Sequence, residues 1–372
     1  MKVALVHDWL TGMRGGERCL EVFCELFPDA DLFTLLHLPG SVAPVIERRR
    51  LITSFIQRLP QAARAYRRYL PLFPAAVGRF DLRGYDLILS SSHAVAKGVR
   101  VPPGALHVCY CFTPMRYVWD LYDEYFGPAA GPLTRILMPP VAAALRRWDR
   151  RTAAGVRHFV AISRFVADRI RRAYGREAEV IHPPVDVARF RIEESPGDFY
   201  LVVSALTPYK RVDLAVAAAN RLGRRLLVVG TGPEARRLEA LAGPSVEFLG
   251  WLDDVRVADL FARCRAFIFP TLEDFGITPL EAMASGRPVI ALGQGGARET
   301  VVPPGGADPP TGLLFERQTV DGLIGAIREL EGDPGRFEPK ALRRRAEAFD
   351  RPLFKERVRA YLDARLAEHG RC

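Results

Sequence analysis

Short apolar runs alternate with amphipathic helical stretches along this chain, and the alternation is played through twice. In the first half Val3–His7, 32–36, 87–90, Leu106–Cys111 and 158–162 read as strands, with helices clearest at 17–27, 133–150 and Arg164–Tyr174. Strands of this kind joined by helices demand a parallel sheet covered on both faces. Ile181-His-Pro-Pro-Val-Asp-Val187 then interrupts the pattern, its two prolines making a stiff extended crossing. The series restarts with strands at 200–204, 226–230 and Val246–Gly250, and helices at 211–222, 233–241 and Asp254–Arg263. A chain of 372 residues is long for one domain and comfortable for two. The expected fold class is α/β, with doubly wound domains at 1–184 and 185–350.

The second series leads into Ala266-Phe-Ile-Phe-Pro270, a buried strand, and then into Glu273-Asp-Phe-Gly-Ile-Thr-Pro-Leu-Glu281. Gly276 lets the backbone come close to a ligand. Thr278, Pro279 and Glu281 read as N-cap, N1 and N3 of a capping box. Free amides and the positive end of a helix dipole would then face a strand's carboxyl end, where α/β sheets hold phosphates. Glu281 alone could serve only the cap, and Glu273 alone only solvent. Two glutamates flanking Phe-Gly at a strand-to-helix turn favour a ligand.

About half the residues are apolar and a quarter charged, an ordinary globular balance. The net charge of +10 is mostly arginine and favours anionic partners: nucleotide diphosphates, phospholipid headgroups or nucleic acid. No helix-turn-helix, zinc or RNP-like pattern supports the last, so no nucleic acid is expected. No apolar run reaches membrane-spanning length, and a strand begins at once without a basic leader, so the expected location is cytoplasmic. The six cysteines, Cys372 included, form no C-x-x-C set and read as small core residues in a reducing compartment. Asp29-Ala-Asp31 is formally a D-x-D string, but it precedes an early strand and no metal is expected there.

Residues 273–291 resemble the signature of the family-4 retaining glycosyltransferases, two glutamates separated by seven residues within a GT-B fold. That resemblance implies two Rossmann-like domains facing across a cleft, the second binding a nucleotide-sugar, with a final helix near 351–368 returning to the first. It places Glu273 against the transferred sugar and Glu281 on the ribose hydroxyls, since an ionised carboxylate accepts two hydroxyl hydrogen bonds. Lys210 and Arg211 would face the diphosphate, although Ala205 stands where relatives often carry arginine. Gly15 and Gly16, Gly232, the backbone near Leu252, and Phe275, Gly276, Ile277 and Thr278 complete the implied donor contacts. Trp251 reads equally as a core residue. Gly295-Gly-Ala-Arg-Glu299 resembles a further family element in which Glu299 braces the loop.

Ser90-Ser-Ser-His93-Ala-Val-Ala-Lys97-Gly98 and Tyr110-Cys-Phe-Thr-Pro-Met-Arg116-Tyr-Val-Trp119-Asp120 narrow the resemblance to a branch containing O-antigen and polysaccharide mannosyltransferases. Rings and ionic groups past a strand end suit a sugar site. Asp8, Arg116, Tyr117, Trp119 and Asp120 are therefore expected on the acceptor side. Many relatives carry a sugar-assisting histidine where this chain has Phe112, and the role would pass to His93. The implied reaction is metal-independent and cofactor-free: mannose moves from GDP-mannose to a lipid-linked or polysaccharide acceptor with retained configuration. A UDP-hexose or dTDP-rhamnose donor, or a silent nucleotide-sugar-binding module, are the alternatives. Arginines interleaved with aromatics in 48–74 suit an anionic membrane surface and equally a solvated helix face over a core.

Overall fold

All strand pairing among the described residues is parallel, and it builds two separate sheets. The computed structural model describes residues 1–127 and 131–370. It divides into one unit of Met1–Pro183 with Phe354–Cys372 and another of Pro184–Leu353. Cys372 lies outside the described residues. The other five cysteines are free and buried, and β5 carries Cys109 and Cys111.

In the first unit the strands are β1 (Val3–His7), β2 (Asp31–Thr34), β3 (Leu51–Thr53), β4 (Leu87–Ser92), β5 (Leu106–Cys111), β6 (His158–Ala161) and β7 (Ala178–Val180), ordered β3-β2-β1-β4-β5-β6-β7. The chain winds outward from β1 in one direction, then returns and winds the other way from β4. The topological switch therefore lies between the carboxyl ends of β1 and β4. From Phe354 onward the terminal helix belongs to this unit: the Phe354 ring packs on Phe23 and Tyr110, and Lys355 Nζ reaches Glu25 at 3.0 Å.

The second unit contains β8 (Tyr200–Val203), β9 (Leu226–Val229), β10 (Val246–Gly250), β11 (Ala266–Phe269), β12 (Val289–Leu292) and β13 (Gly312–Phe315), ordered β10-β9-β8-β11-β12-β13. Its switch lies between β8 and β11. The sequence reading passes over β3, β7 and β13, and all three are edge strands. β3 and β7 are also short and only partly buried, so they lack the continuous apolar run of a central parallel strand.

Residues 48–74 fold as β3 and several short helical turns. Ile56, Tyr66 and Phe73 join the core around Trp9, while Arg64, Arg67, Arg68 and Leu72 are exposed. Asp31 accepts from the Tyr85 hydroxyl and lies 3.5 Å from Arg50, a structural use of the D-x-D string. Trp251 is 75% exposed, which overturns its reading as a core residue. No helix among the described residues is long and apolar enough to cross a membrane.

A buried ion pair fixes the long helix Pro132–Ala153 to the turn after β4. Lys97 Nζ lies 2.7 Å from Asp149 Oδ1 and donates to the Asp149 carbonyl at 2.8 Å. Trp119 Nε1 and the Tyr174 hydroxyl both donate to Asp149 Oδ2 at 2.8 Å. Every strong partner is local, so two buried charges are tolerated.

His107, on β5, is also fully buried, and its Nε2 meets Ser90 Oγ at 2.8 Å. Burial pushes its imidazole down to about 4. An unfolded chain takes the proton near pH 6.5 while the folded one refuses it. Stability from this group is therefore present above pH 6.5 and lost as pH falls towards 4, a loss of roughly 3 kcal/mol. Urea titrations between pH 7 and 4 should show that decline, and His107→Gln should flatten it. An equal decline in the variant would remove His107 as its source.

Candidate functional site

Each sheet gathers its chemistry-bearing side chains at its own switch point. In the second unit Lys210 follows β8 and Glu273 follows β11. Lys210 Nζ donates to Glu273 Oε1, with both side chains largely buried. The two loops are laced together, because Thr271 Oγ1 donates to the Tyr209 carbonyl at 3.2 Å. The Tyr209 ring lies 5.4 Å from Lys210 Nζ and adds a cation–π contact. Neither Tyr209 nor Thr271 was singled out from sequence, since only the pairing of β8 with β11 brings them together.

Arg211 sits at φ 52°, a left-handed conformation that costs a non-glycine residue roughly 1 kcal/mol or more. Its guanidinium is held by Asp213 at 3.2 and 3.3 Å. Such a bend just before the helix Val212–Leu222 turns Arg211 away from the helical path. The expected lysine–arginine pair is therefore present but split, Lys210 on Glu273 and Arg211 on Asp213.

The turn after Glu273 corrects the capping box. The helix spans Ile277–Ala284, and Gly276, at φ 87°, is its N-cap with no side-chain capping bond. Thr278 and Pro279 fall at the second and third helical positions, and Glu281 lies beyond the first turn. Buried Phe275 packs on Phe349, and the Gly296 amide donates to the Glu273 carbonyl at 2.9 Å. These contacts set the chain direction, and the positive φ at Gly276 starts the helix early. Pro279 is tolerated because the first helical amides have no partner in any helix. Glu281 is thus not a capping residue.

Two glycines, the expected donor contact Gly232 and Gly296 of the Gly295–Glu299 element, have backbone reasons for lacking a side chain. A Cβ on Gly232 would lie 2.2 Å from the Leu206 carbonyl oxygen. One on Gly296 would lie 2.2 Å from the Phe275 Cα. Gly232 is thereby explained by packing against the loop after β8, and the Gly295–Gly296 pair by support of the Glu273–Phe275 turn. Leu252 is partly buried in the loop after β10.

At the first unit's switch, β1 ends in His7 and Asp8, and His93 follows β4. Asp8 is fully buried and accepts four amides, those of His93, Ala94, Val95 and Ala96, at 2.7–2.9 Å. His93 Nδ1 lies 3.0 Å from Asp8 Oδ2. Burial opposes charge on Asp8, but the His93 imidazole and amide outweigh it and hold the carboxyl far below the usual carboxylate range. Asp8 therefore cannot meet an acceptor, which corrects its expected place. It holds His93 instead, fixing the ring through Nδ1 so that Nε2 faces away from Asp8.

Around this pair the His7, His93 and Phe112 rings lie 6.4 Å apart by each pairing. His7 Nδ1 meets Ser91 Oγ at 2.8 Å, and its Nε2 lies 3.8 Å from Glu17. Gly15 and Gly16 open the helix Gly15–Leu26, and a Cβ on Gly16 would touch the Phe112 ring at 3.4 Å. Glu17 accepts the Arg14 amide at 3.0 Å, so a carboxylate already sits at this helix start. His7 and Glu17 were missed from sequence, although Glu17 stands at capping-box spacing from Arg14.

The remaining acceptor-side residues divide. Trp119 is spent on Asp149, and Asp120 accepts from Arg169, so both are braces of the fold. Arg116 is partly buried, and the Tyr117 hydroxyl is buried without a hydrogen-bond partner among the described residues. An Asp8→Asn variant replaces an oxygen with a donor facing the amides of residues 93–96. It should cost the first unit about 3 kcal/mol and cut turnover more than donor affinity. Urea unfolding and a kcat against KM comparison would check both effects.

Comparisons with known proteins agree with this architecture. Residues 13–189 match the family described as Glycosyltransferase Family 4, and residues 198–333 match Glycosyl transferases group 1. A GDP-mannose-dependent alpha-(1-6)-phosphatidylinositol monomannoside mannosyltransferase of Mycolicibacterium smegmatis is 31% identical over 304 residues, 67% of this chain and 76% of that protein. The O-antigen chain mannosyltransferase C of Escherichia coli is 33% identical over 182 residues, 46% of this chain and 47% of its own. Sucrose-phosphate synthase from Thermosynechococcus elongatus superposes with a TM-score of 0.73 at 19% identity, over 99% of this chain and 100% of its own. HepE of Anabaena, solved with UDP, superposes at 0.70 and 18% identity, over 98% of this chain and 100% of its own. Two doubly wound parallel sheets, the matched families and these relatives lead to one conclusion: the chain is a glycosyltransferase of family 4, with the GT-B fold.

Proposed function

We propose that this glycosyltransferase moves mannose from GDP-mannose, with retained configuration, to a lipid-linked or polysaccharide acceptor in cell-surface glycan synthesis. The observation that carries the reading is the Lys210–Glu273 pair at the β8/β11 switch, in a chain whose relatives include GDP-mannose-dependent mannosyltransferases. Breaking the glycosyl–phosphate bond gives the diphosphate negative charge while the sugar becomes oxocarbenium-like. Lys210 and Arg211 stabilise the leaving group, and Lys210 moves from Glu273 to phosphate as the donor arrives. Glu273 then accepts from sugar hydroxyls, and Glu281 from the ribose. Gly276, Ile277 and Thr278 offer amides to the diphosphate. The departing phosphate oxygen takes the acceptor hydroxyl's proton, and no metal enters.

On the first unit His93, held by Asp8, hydrogen-bonds substrate at the β1/β4 switch in place of the histidine that Phe112 replaces. The enzyme works at the cytoplasmic face of a membrane, as a lipid-linked acceptor requires.

Thermal shift across GDP-, UDP- and dTDP-sugars tests the donor. GDP-mannose should raise the midpoint most, and a larger shift with a UDP-hexose or dTDP-rhamnose would replace it. GDP release from GDP-mannose should need acceptor and ignore chelator. Donor binding without turnover in any membrane extract would make the protein a silent binding module, the reading that Ala205 and Phe112 favour. Glu281→Gln should weaken donor binding by about tenfold through one lost charged hydrogen bond. Unchanged affinity in calorimetry would remove Glu281 from the ribose.

A further inference from the structure

The helix Pro132–Ala153 is buried along one face only. Ala142, Leu145, Asp149 and Ala153 point into the first unit. At 3.6 residues per turn, Leu133, Ile136, Leu137 and Pro140 fall roughly half a turn away from that face. Leu133 is 69% exposed, Ile136 73% and Leu137 54%. Apolar groups at i, i+3, i+4 and i+7 are thus directed outward, the reverse of a core stripe.

Charge along the same helix is one-sided. Its acidic residue, Asp149, is buried against Lys97, so the outer surface carries no carboxylate. Arg147 and Arg151 are exposed on it, and Arg135 is exposed at the helix's first turn. Pro139 and Pro140 also remove the helical donors for the Arg135 and Ile136 carbonyls, which must be met by water or headgroups. That excludes deep burial in hydrocarbon and suits a shallow position at the headgroup boundary.

We propose that the outer face of residues 132–140 inserts into an anionic phospholipid surface, with the exposed arginines on the headgroups. This deepens the membrane part of the function proposed above but is independent of the donor and of the sugar chemistry. It also moves the apolar contact away from 48–74, whose Ile56, Tyr66 and Phe73 are committed to the core.

Co-sedimentation of the full chain with phosphatidylglycerol–phosphatidylcholine vesicles and with pure phosphatidylcholine vesicles tests it. Wild type should bind the anionic vesicles far better, and less so as salt rises. The triple variant Leu133→Ser, Ile136→Ser, Leu137→Ser should lose on the order of 100-fold in partitioning, with an unchanged thermal midpoint. Its GDP release with a water-soluble acceptor should be unchanged, which separates this proposal from the catalytic one. Ile136→Trp should show blue-shifted fluorescence with anionic vesicles. Equal binding to both vesicle types, no binding, or full binding by the triple variant would overturn the proposal. So would loss of binding only in Arg64→Gln/Arg67→Gln/Arg68→Gln, or a dimer that the serine variant converts to monomer without affecting vesicles.

Discussion

Asp149→Ala should destabilise the first unit by about 3–5 kcal/mol, a large share of what a domain of this size has. The substitution leaves the Lys97 ammonium buried with the Asp149 main-chain carbonyl and Thr152 as its remaining partners. It also strips Trp119 and Tyr174 of their acceptor. Lys97→Met should cost a similar amount by isolating the carboxylate. The double variant Lys97→Met/Asp149→Ala should cost clearly less than the sum, because neither charge is then left alone. Urea unfolding of the four proteins measures the coupling, and simple additivity would show that the two charges do not support each other. Because the chain has two units, a single transition should not be assumed; tryptophan fluorescence reports mostly on the first, which holds Trp9, Trp119 and Trp148 against Trp251 in the second.

Glu273→Gln should lower kcat by about 10²–10³-fold while leaving the thermal midpoint nearly unchanged. The amide keeps the size of the side chain and can still meet Lys210 through its oxygen, so the turn after β11 should persist. What disappears, on the proposed role, is the negative charge facing the oxocarbenium-like sugar. Donor affinity should change much less than turnover, since the diphosphate contacts proposed for Lys210 and Arg211 do not use the lost charge. Lys210→Ala should show the opposite weighting, with weaker donor binding as well as slower transfer. Steady-state kinetics together with donor calorimetry separate the two. Full activity in Glu273→Gln would remove the sugar-side role assigned to this carboxylate.

Several elements could be placed from local pattern with little error. Val3–His7, Leu106–Cys111, Arg164–Tyr174, Val246–Gly250 and Asp254–Arg263 have the bounds read from sequence. Central parallel strands are covered on both faces, so their side chains must be apolar in succession, and that requirement is written in the residues themselves. The short, partly exposed edge strands β3 and β7 escape it, whereas the longer edge strand β10 remained legible. The error at Thr278, Pro279 and Glu281 has a different origin. Their spacing does satisfy a capping box, but the helix start was decided by Gly276 and by contacts that Glu273 and Phe275 make with Gly296 and Phe349.

What the residues determined on their own was the α/β class, the repeated parallel layout and the glutamate motif that marks the family, because each depends on periodicity or spacing along a short stretch. Which charges neutralise one another was decided by the fold. Asp8 meets the amide of a residue 85 positions away, and Lys210 meets a glutamate 63 positions on. Those partners become neighbours only where strand order reverses. Electrostatic partnership depends on distance in space, and distance in space follows the winding of the sheets.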